Sequence, residues 1–156
     1  MVVFDAKSYD ITHFNQYAEK YANLGVEIVF LESRITPETV SLARNAKIVC
    51  VFVNDSVNAF VVDKLSRYGV EMIACRSAGF NNIDLEACKV HSISVTRVPA
   101  YSPFAVAEHA IALIMSLNRK ICIASSKTKT GDFSLSSFLT GFDMHGKTGT
   151  FLINLD

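Results

Sequence analysis

The stretch MIACRSAGFNNIDLEACKVHSISVTRVPAYSPFAVAEHAIALIMSLN, residues 72–118, decides how the chain is read. It opens inside a short apolar run, Glu71–Ala74, passes through a turn rich in Gly and Asn, crosses a short helical segment and reaches a second apolar run at Ser92–Val95. Strand, turn, helix and strand in that order make a βαβ unit. Continuous rather than alternating hydrophobicity suits strands buried on both faces, as in a parallel sheet covered by helices. Upstream, Val2–Phe4, Val26–Phe30 and Ile48–Val53 read as strands in the same way. Between the strands lie the helical segments Ile11–Asn23, Pro37–Asn45 and Val57–Tyr68, with Thr36 at an N-cap, Pro37 at the first helical position and Gly69 past a C-terminus. The expected fold is an open α/β sheet.

After Val95 the pattern changes. Pro103 opens a long apolar-rich helix running to about Lys127, with no strand behind it. Val106, Ala110, Leu113, Ile114, Leu117 and Ile121 recur at helical spacing and leave Glu108, Arg119 and Lys120 nearer the polar side. Residues 131–147, rich in Ser, Gly and Phe, read as loop with one short helical turn.

Composition narrows the function. Of 156 residues, half are apolar and 19% charged, as in an ordinary globular chain of one core. Fifteen basic residues balance fifteen acidic ones, which removes the electrostatic footprint of a nucleic-acid binder. The apolar stretch from Phe104 to Ile123 is interrupted by Glu108, His109, Asn118, Arg119 and Lys120, so no membrane span is expected. No basic leader precedes an apolar run at the N-terminus, and a cytoplasmic protein is the expectation. Cys50, Cys75, Cys88 and Cys122 form neither a C-x-x-C pair nor a disulfide framework, and all are expected reduced. His13, His91, His109 and His145 share no metal-ligand spacing, so no metal site is expected.

Three places could carry chemistry. Ser77-Ala78-Gly79-Phe80-Asn81-Asn82-Ile83-Asp84 follows a strand and precedes a helix, where an open α/β sheet places its ligand crevice. Gly79 permits a tight turn whose successive N–H groups can cradle a carboxylate. The plainer alternative, which spacing alone favours, is that Gly79 and Asn81 are turn formers and Asp84 an N-cap. Arg97-Val98-Pro99-Ala100-Tyr101-Ser102-Pro103 is a connection stiffened by two prolines, with the Tyr101 hydroxyl at its centre and Ser102 placed to cap the next helix. Phe52 and Asn54 close the third strand on the crevice side, either as pocket wall or as a buried strand end with an Asn-Asp turn.

Taken together, the A-G-F-N-N-I-D and V-P-A-Y-S-P segments and the helix after them closely resemble the substrate domain and crossover helix of the D-isomer-specific 2-hydroxyacid dehydrogenases, most of all the fermentative D-lactate dehydrogenases. The resemblance covers nearly the whole chain but about the first half of such an enzyme. It implies a flavodoxin-like substrate domain over residues 1–101, with 102–156 as crossover helix and truncated start of a nucleotide-binding domain. The backbone at Ala78 and Gly79, together with Tyr101, would hold a substrate carboxylate; Phe52 and Asn54 would wall the pocket; Val106 would face the nicotinamide of NAD; and the helix 103–127 would form a homodimer interface. The family reaction is NADH-dependent reduction of pyruvate or another small 2-oxo acid.

The same resemblance says what to expect missing. Relatives continue after a Gly-Lys-Thr segment, here Gly146-Lys147-Thr148, with a strand and G-x-G-x-x-G, where this sequence has Gly149-Thr150-Phe151-Leu152-Ile153-Asn154-Leu155-Asp156. Ile153 and Leu155 would block a close backbone approach to a pyrophosphate. The family's catalytic arginine, carboxylate and histidine lie further on, and Arg76, although beside the Gly79 turn, does not match that arginine. The chain alone is therefore expected to be inactive and not to bind NAD. The other readings are a non-enzymatic binding or dimerisation module of the same fold, and a non-functional remnant that still folds.

Overall fold

The computed structural model describes residues 1–150. Five short strands, β1 (Val2–Val3), β2 (Val29–Phe30), β3 (Ile48–Val51), β4 (Met72–Cys75) and β5 (Ser94–Thr96), form one sheet in the order β2-β1-β3-β4-β5. Every neighbouring pair is parallel, with Val2 opposite Val49, Val49 opposite Ile73 and Ile73 opposite Val95. This is the flavodoxin-like strand order, in which ligands gather at the carboxyl ends of the strands. The helices are α1 (Ser8–Ala18), α2 (Ala59–Arg67), α3 (Leu85–Val90), α4 (Pro103–Asn118) and α5 (Ile121–Lys129). The chain divides into two units, Met1–Tyr101 and Ser102–Asp156.

The continuous hydrophobicity of the strands has the expected cause. Successive residues of β3 point to opposite faces, so Val49 and Val51 join one core while Cys50 joins another. On the first face they meet Val61, Val62 and Leu65 of α2, together with Ile73, Ile83 and Cys88. On the second, Val3, Ala6 and Cys50 are covered by Phe14 of α1, with Phe30 and Ala74 alongside. Val61, Val62 and Leu65 are fully buried, and each contributes ~1.5–3 kcal/mol by leaving water. Asn58 caps α2 by accepting from the Val61 N–H at 3.1 Å. Gly69, at φ +81°, closes it, turning the chain so that the Val70 N–H reaches the Leu65 carbonyl at 3.0 Å.

Three helical expectations need correction. The segment 11–23 is α1 followed by a 3₁₀ stretch, Glu19–Leu24, with a break at Tyr21 (φ −115°, ψ 19°). Residues 37–45 hold only a 3₁₀ turn, Val40–Ala43, with Thr39 rather than Thr36 at its N-cap. Side chains there compete with a helix: Thr39 Oγ1 donates to the Arg34 carbonyl at 2.6 Å and accepts from the Thr36 N–H at 2.8 Å. The helix expected over residues 103–127 is two helices, because Lys120 sits in the left-handed region (φ 56°, ψ 32°) between α4 and α5. Ser102 occupies the N-cap position before Pro103, but its side chain makes no capping bond.

The second unit explains where the helix stops. Asn118, the last residue of α4, pairs with Phe142 in both directions: Nδ2 donates to its carbonyl at 2.8 Å and Oδ1 accepts from its N–H at 3.0 Å. The loop thus bonds to the Asn118 side chain as a strand would to a neighbouring strand. A Cβ on the adjacent Gly141 would collide with the Asn118 carbonyl oxygen. Residues 131–147 otherwise hold one 3₁₀ turn, Ser137–Leu139, as the sequence suggested. Gly141→Ala should therefore cost about 1–3 kcal/mol of local stability as the backbones move apart. Amide hydrogen exchange checks it: protection at Phe142 should fall while Ile73 in the first unit is unchanged.

Candidate functional site

At the carboxyl ends of β1, β3, β4 and β5 the chain turns through residues 4–7, 52–58, 76–84 and 97–101. Strands of two to four residues hold few ladder bonds, so side chains fasten these turns. Asp55 is 2% exposed, and its carboxylate accepts from the Ile35 N–H at 2.8 Å and the Phe52 N–H at 2.6 Å. Asn82 Nδ2 donates to the Phe52 carbonyl at 3.0 Å and to the Asp55 carbonyl at 2.9 Å, tying the turn after β4 to the turn after β3. Backbone bonds between Val57 and its neighbours Asn82 and Asp84 complete that seam. Asp84 also caps α3, accepting from the Ala87 N–H at 2.9 Å.

The structure brings several of the expected site residues onto adjacent turns. Phe52 is half-buried and Asn54 exposed, on the turn after β3; Ala78 is half-buried and Gly79 exposed, on the turn after β4. Ser77, Ala78 and the connection after β5 are fastened together, since the Val98 N–H donates to the Ser77 carbonyl at 3.0 Å and Arg97 Nη1 to the Ala78 carbonyl at 3.1 Å. Tyr101, which ends the first unit, is 70% exposed. Val106 stands on α4 in the second unit and is also exposed.

Gly79 departs from its expected rationale. Its φ is not positive, so the turn does not demand glycine, and a Cβ there would meet nothing within 4 Å. Neither backbone strain nor protein packing accounts for the residue. What its lack of a side chain leaves is an open approach to the backbone, and among the described residues the Gly79 and Phe80 N–H groups donate to no protein oxygen.

Arg76 has a structural occupation. It is 12% exposed, pairs with Asp10 at 2.8 Å, donates to the Phe4 carbonyl and lies with its guanidinium 5.1 Å from the Phe52 ring centroid. It thus fastens β1 and α1 to Phe52 on the turn after β3. Asp5, which no sequence motif signals, is 3% exposed at φ 46° and pairs with Lys7 at 2.7 Å and Arg34 at 3.7 Å. Asp55 was legible only as part of an Asn-Asp turn, because the buried N–H groups it serves lie up to 20 residues away.

The remaining chemistry is sparse. Cys50, Cys75 and Cys88 are free and buried. Burial pushes the Cys50 and Cys88 thiols up to about 11, which keeps them protonated at neutral pH. Among the described residues no cluster of His, Cys, Asp and Glu could hold a metal ion, and no helix is long and apolar enough to cross a membrane.

Comparison with known proteins matches residues 1–148 to the model of the D-isomer specific 2-hydroxyacid dehydrogenase catalytic domain. The chain is 45% identical over 148 residues to D-lactate dehydrogenase of Escherichia coli, covering 95% of this chain and 44% of that protein. It is 43% identical to a 2-hydroxyacid dehydrogenase homolog of Zymomonas mobilis over 95% of this chain and 44% of that one. The chain thus spans less than half the length of these relatives. The apo structure of the Escherichia coli enzyme superposes with a TM-score of 0.80, covering 94% of this chain and 46% of that one. D-lactate dehydrogenase of Aquifex aeolicus, solved with NAD and lactic acid, superposes with a TM-score of 0.76 at 28% identity, over 92% of this chain and 41% of that one.

Asp55 gives the site a pH signature. Burial raises its carboxyl above the ordinary value of 3.8, outweighing the backbone bonds that favour the charged form. The folded state therefore holds this proton more tightly than the unfolded chain, and its contribution to stability falls as pH rises from about 4 through the folded pKa. In Asp55→Asn, which cannot titrate, that slope should vanish. The stability difference, wild type minus variant, should shrink as pH rises across this window in denaturant titrations; a difference that grows would contradict the assignment.

Proposed function

The chain belongs to the D-isomer-specific 2-hydroxyacid dehydrogenase family, and on that premise we propose that it is the substrate-binding half of an NAD-dependent D-lactate dehydrogenase-like protein. The observation that carries this is the Gly79 turn, an exposed backbone with two N–H groups that have no acceptor among the described residues and a glycine that their packing does not need. Backbone donors at such a turn hold a carboxylate without a charged side chain. In this reading residues 1–101 are the substrate domain. Ala78, Gly79 and Tyr101 meet the carboxylate of a small 2-oxo or 2-hydroxy acid, and Phe52 with Asn54 limits the room beside it. Arg76 keeps Phe52 in place and does not touch substrate.

In its reduced form, NADH, the cofactor would supply the hydride that reduces a 2-oxo acid in this family's reaction, but the described residues do not fit its pyrophosphate. The second unit has no described strand leading into a glycine-rich loop: Gly131 and Gly146 take left-handed turns, and Gly141 is packed against Asn118. The expectation about Ile153 and Leu155 falls outside the described residues. No step of the reaction is assigned to this chain, and Val106 would meet a nicotinamide only where a nucleotide-binding part is present. The isolated chain should neither oxidise NADH with pyruvate nor bind the cofactor. Loss of acid–base help alone removes ~10²–10⁴ in rate. It should still bind oxamate weakly, near millimolar, a free energy of about −4 kcal/mol. Titration followed at the amides of residues 77–81 checks this, and shifts confined elsewhere would overturn the site.

Self-association is the second part of the reading. No residue of α4 is buried, and Val106, Leu113 and Leu117 are 62%, 51% and 73% exposed. Phe104 and Ile111 are exposed as well, so the apolar surface is broader than the single stripe expected from sequence. Each such side chain left in water forgoes ~1.5–3 kcal/mol of burial. We infer a two-fold homodimer through α4 and α5. Sedimentation at tens of micromolar should give a dimer for the wild type and a monomer for Leu113→Asp with Leu117→Asp; a monomeric, folded wild type would end the idea.

A further inference from the structure

At the crevice end, two side chains act on the peptide planes flanking Gly79. Arg97 Nη1 donates to the Ala78 carbonyl at 3.1 Å, and Ser77 Oγ donates to the Gly79 carbonyl at 2.8 Å. A trans peptide is planar, and its C=O and N–H point to opposite sides of the same bond. No cis peptide occurs among the described residues. The guanidinium that draws the Ala78 carbonyl to one side therefore turns the Gly79 N–H to the other, where among the described residues no protein acceptor waits.

Arg97 is itself held for this task. Its guanidinium lies 5.6 Å from the Phe80 ring centroid, Nη1 also approaches the Pro99 carbonyl at 3.4 Å, and the next residue is tied to the same turn through the bond from the Val98 N–H to the Ser77 carbonyl. Ser77 is 7% exposed and fixes the following peptide plane, so the first cannot rock by rotating about Gly79. A glycine has more backbone freedom than any other residue, and here that freedom is removed from both sides by side chains.

We propose that Arg97 is a positioning residue that aims the Gly79 N–H at the substrate carboxylate, with Ser77 locking the adjoining peptide. The proposal rests on the carboxylate reading of the Gly79 turn. It separates two things an arginine beside an anion site can do, namely attract the anion by charge and orient a neutral donor from behind. The geometry favours the second, because Nη1 is engaged by the Ala78 and Pro99 carbonyls.

The test is oxamate titration of the 156-residue chain, read at the Gly79 amide, for wild type, Arg97→Met, Arg97→Gln and Ser77→Ala, with unfolding midpoints measured alongside. Arg97→Met should weaken oxamate about five- to tenfold, the scale of one oriented hydrogen bond, without a matching loss of stability. Arg97→Gln, which keeps a donor but no charge, should recover most of that affinity. Ser77→Ala should weaken binding while leaving the net charge untouched, and it decides the matter if Arg97→Met does not fold. A wild type without shifts at residues 78–80 overturns the carboxylate reading and this inference together. A wild type that binds while Arg97→Met or Ser77→Ala binds equally well overturns the inference alone, as does an Arg97→Gln chain as weak as Arg97→Met.

Discussion

The carboxylate of Asp55 satisfies two buried N–H groups, those of Ile35 and Phe52, and the crevice end of the first unit depends on it. Strands this short cannot hold their own exits in place by ladder bonds. A buried N–H left without an acceptor costs about 1–3 kcal/mol, so one side chain answering two of them fixes both the exit of β3 and the segment at Ile35. Asn82 then hangs the exit of β4 on the exit of β3 through the Phe52 and Asp55 carbonyls. Arg76 joins β1 and α1 to the same assembly. The turns that frame the candidate site are thus held mainly by side chain to main chain bonds, while the apolar core holds the sheet behind them.

Much of the fold was legible because its cause is periodicity. All five strands overlap the runs expected for them, and in β1 and β3 the continuous apolar pattern reflects a sheet covered on both faces, whereas the edge strand β5, Ser94-Val95-Thr96, carries only a half-buried valine between two exposed residues. The errors lie where local polar chemistry overrides pattern. Thr39, bonded to the Arg34 carbonyl, leaves only the 3₁₀ turn Val40–Ala43 where a helix was expected, and Lys120 breaks an apolar helix at a residue with ordinary helical propensity. Neither is visible in composition. The site was legible in part, through the glycine turn and the Tyr101 connection, because those segments carry residues that a plain connection does not require. The roles of Asp5, Asp55 and Asn82 were not, because each has a partner distant in sequence, Arg34 for Asp5, Ile35 for Asp55 and Phe52 for Asn82, that meets it only once the sheet has formed.

Division of labour within the chain follows from the same physics. The first unit owns its core, with Phe4, Ile35, Val49, Leu65 and Ile73 all fully buried. The second is held by a handful of polar ties, among them Asn118 with Phe142 and Lys127 with Asp132 at 2.8 Å, and none of its helical residues is buried. Burial of apolar surface is the dominant source of folding stability, so the first unit carries most of what this chain possesses.

Gly79 has an implication of a different kind. Among the described residues nothing touches the space a methyl group would fill there, and the backbone is of a sort any residue adopts. Replacing glycine by alanine at such a position leaves the native contacts intact and restricts the unfolded chain, which favours folding by roughly 0.4–1 kcal/mol. Random substitution at this codon would consequently meet no resistance from stability, and drift would carry the position away from glycine in any lineage for which the turn had ceased to matter. Selection acting at residue 79 would be exerted by something other than the packing of the described residues, so this position serves as a gauge of use that the folding of those residues cannot blur.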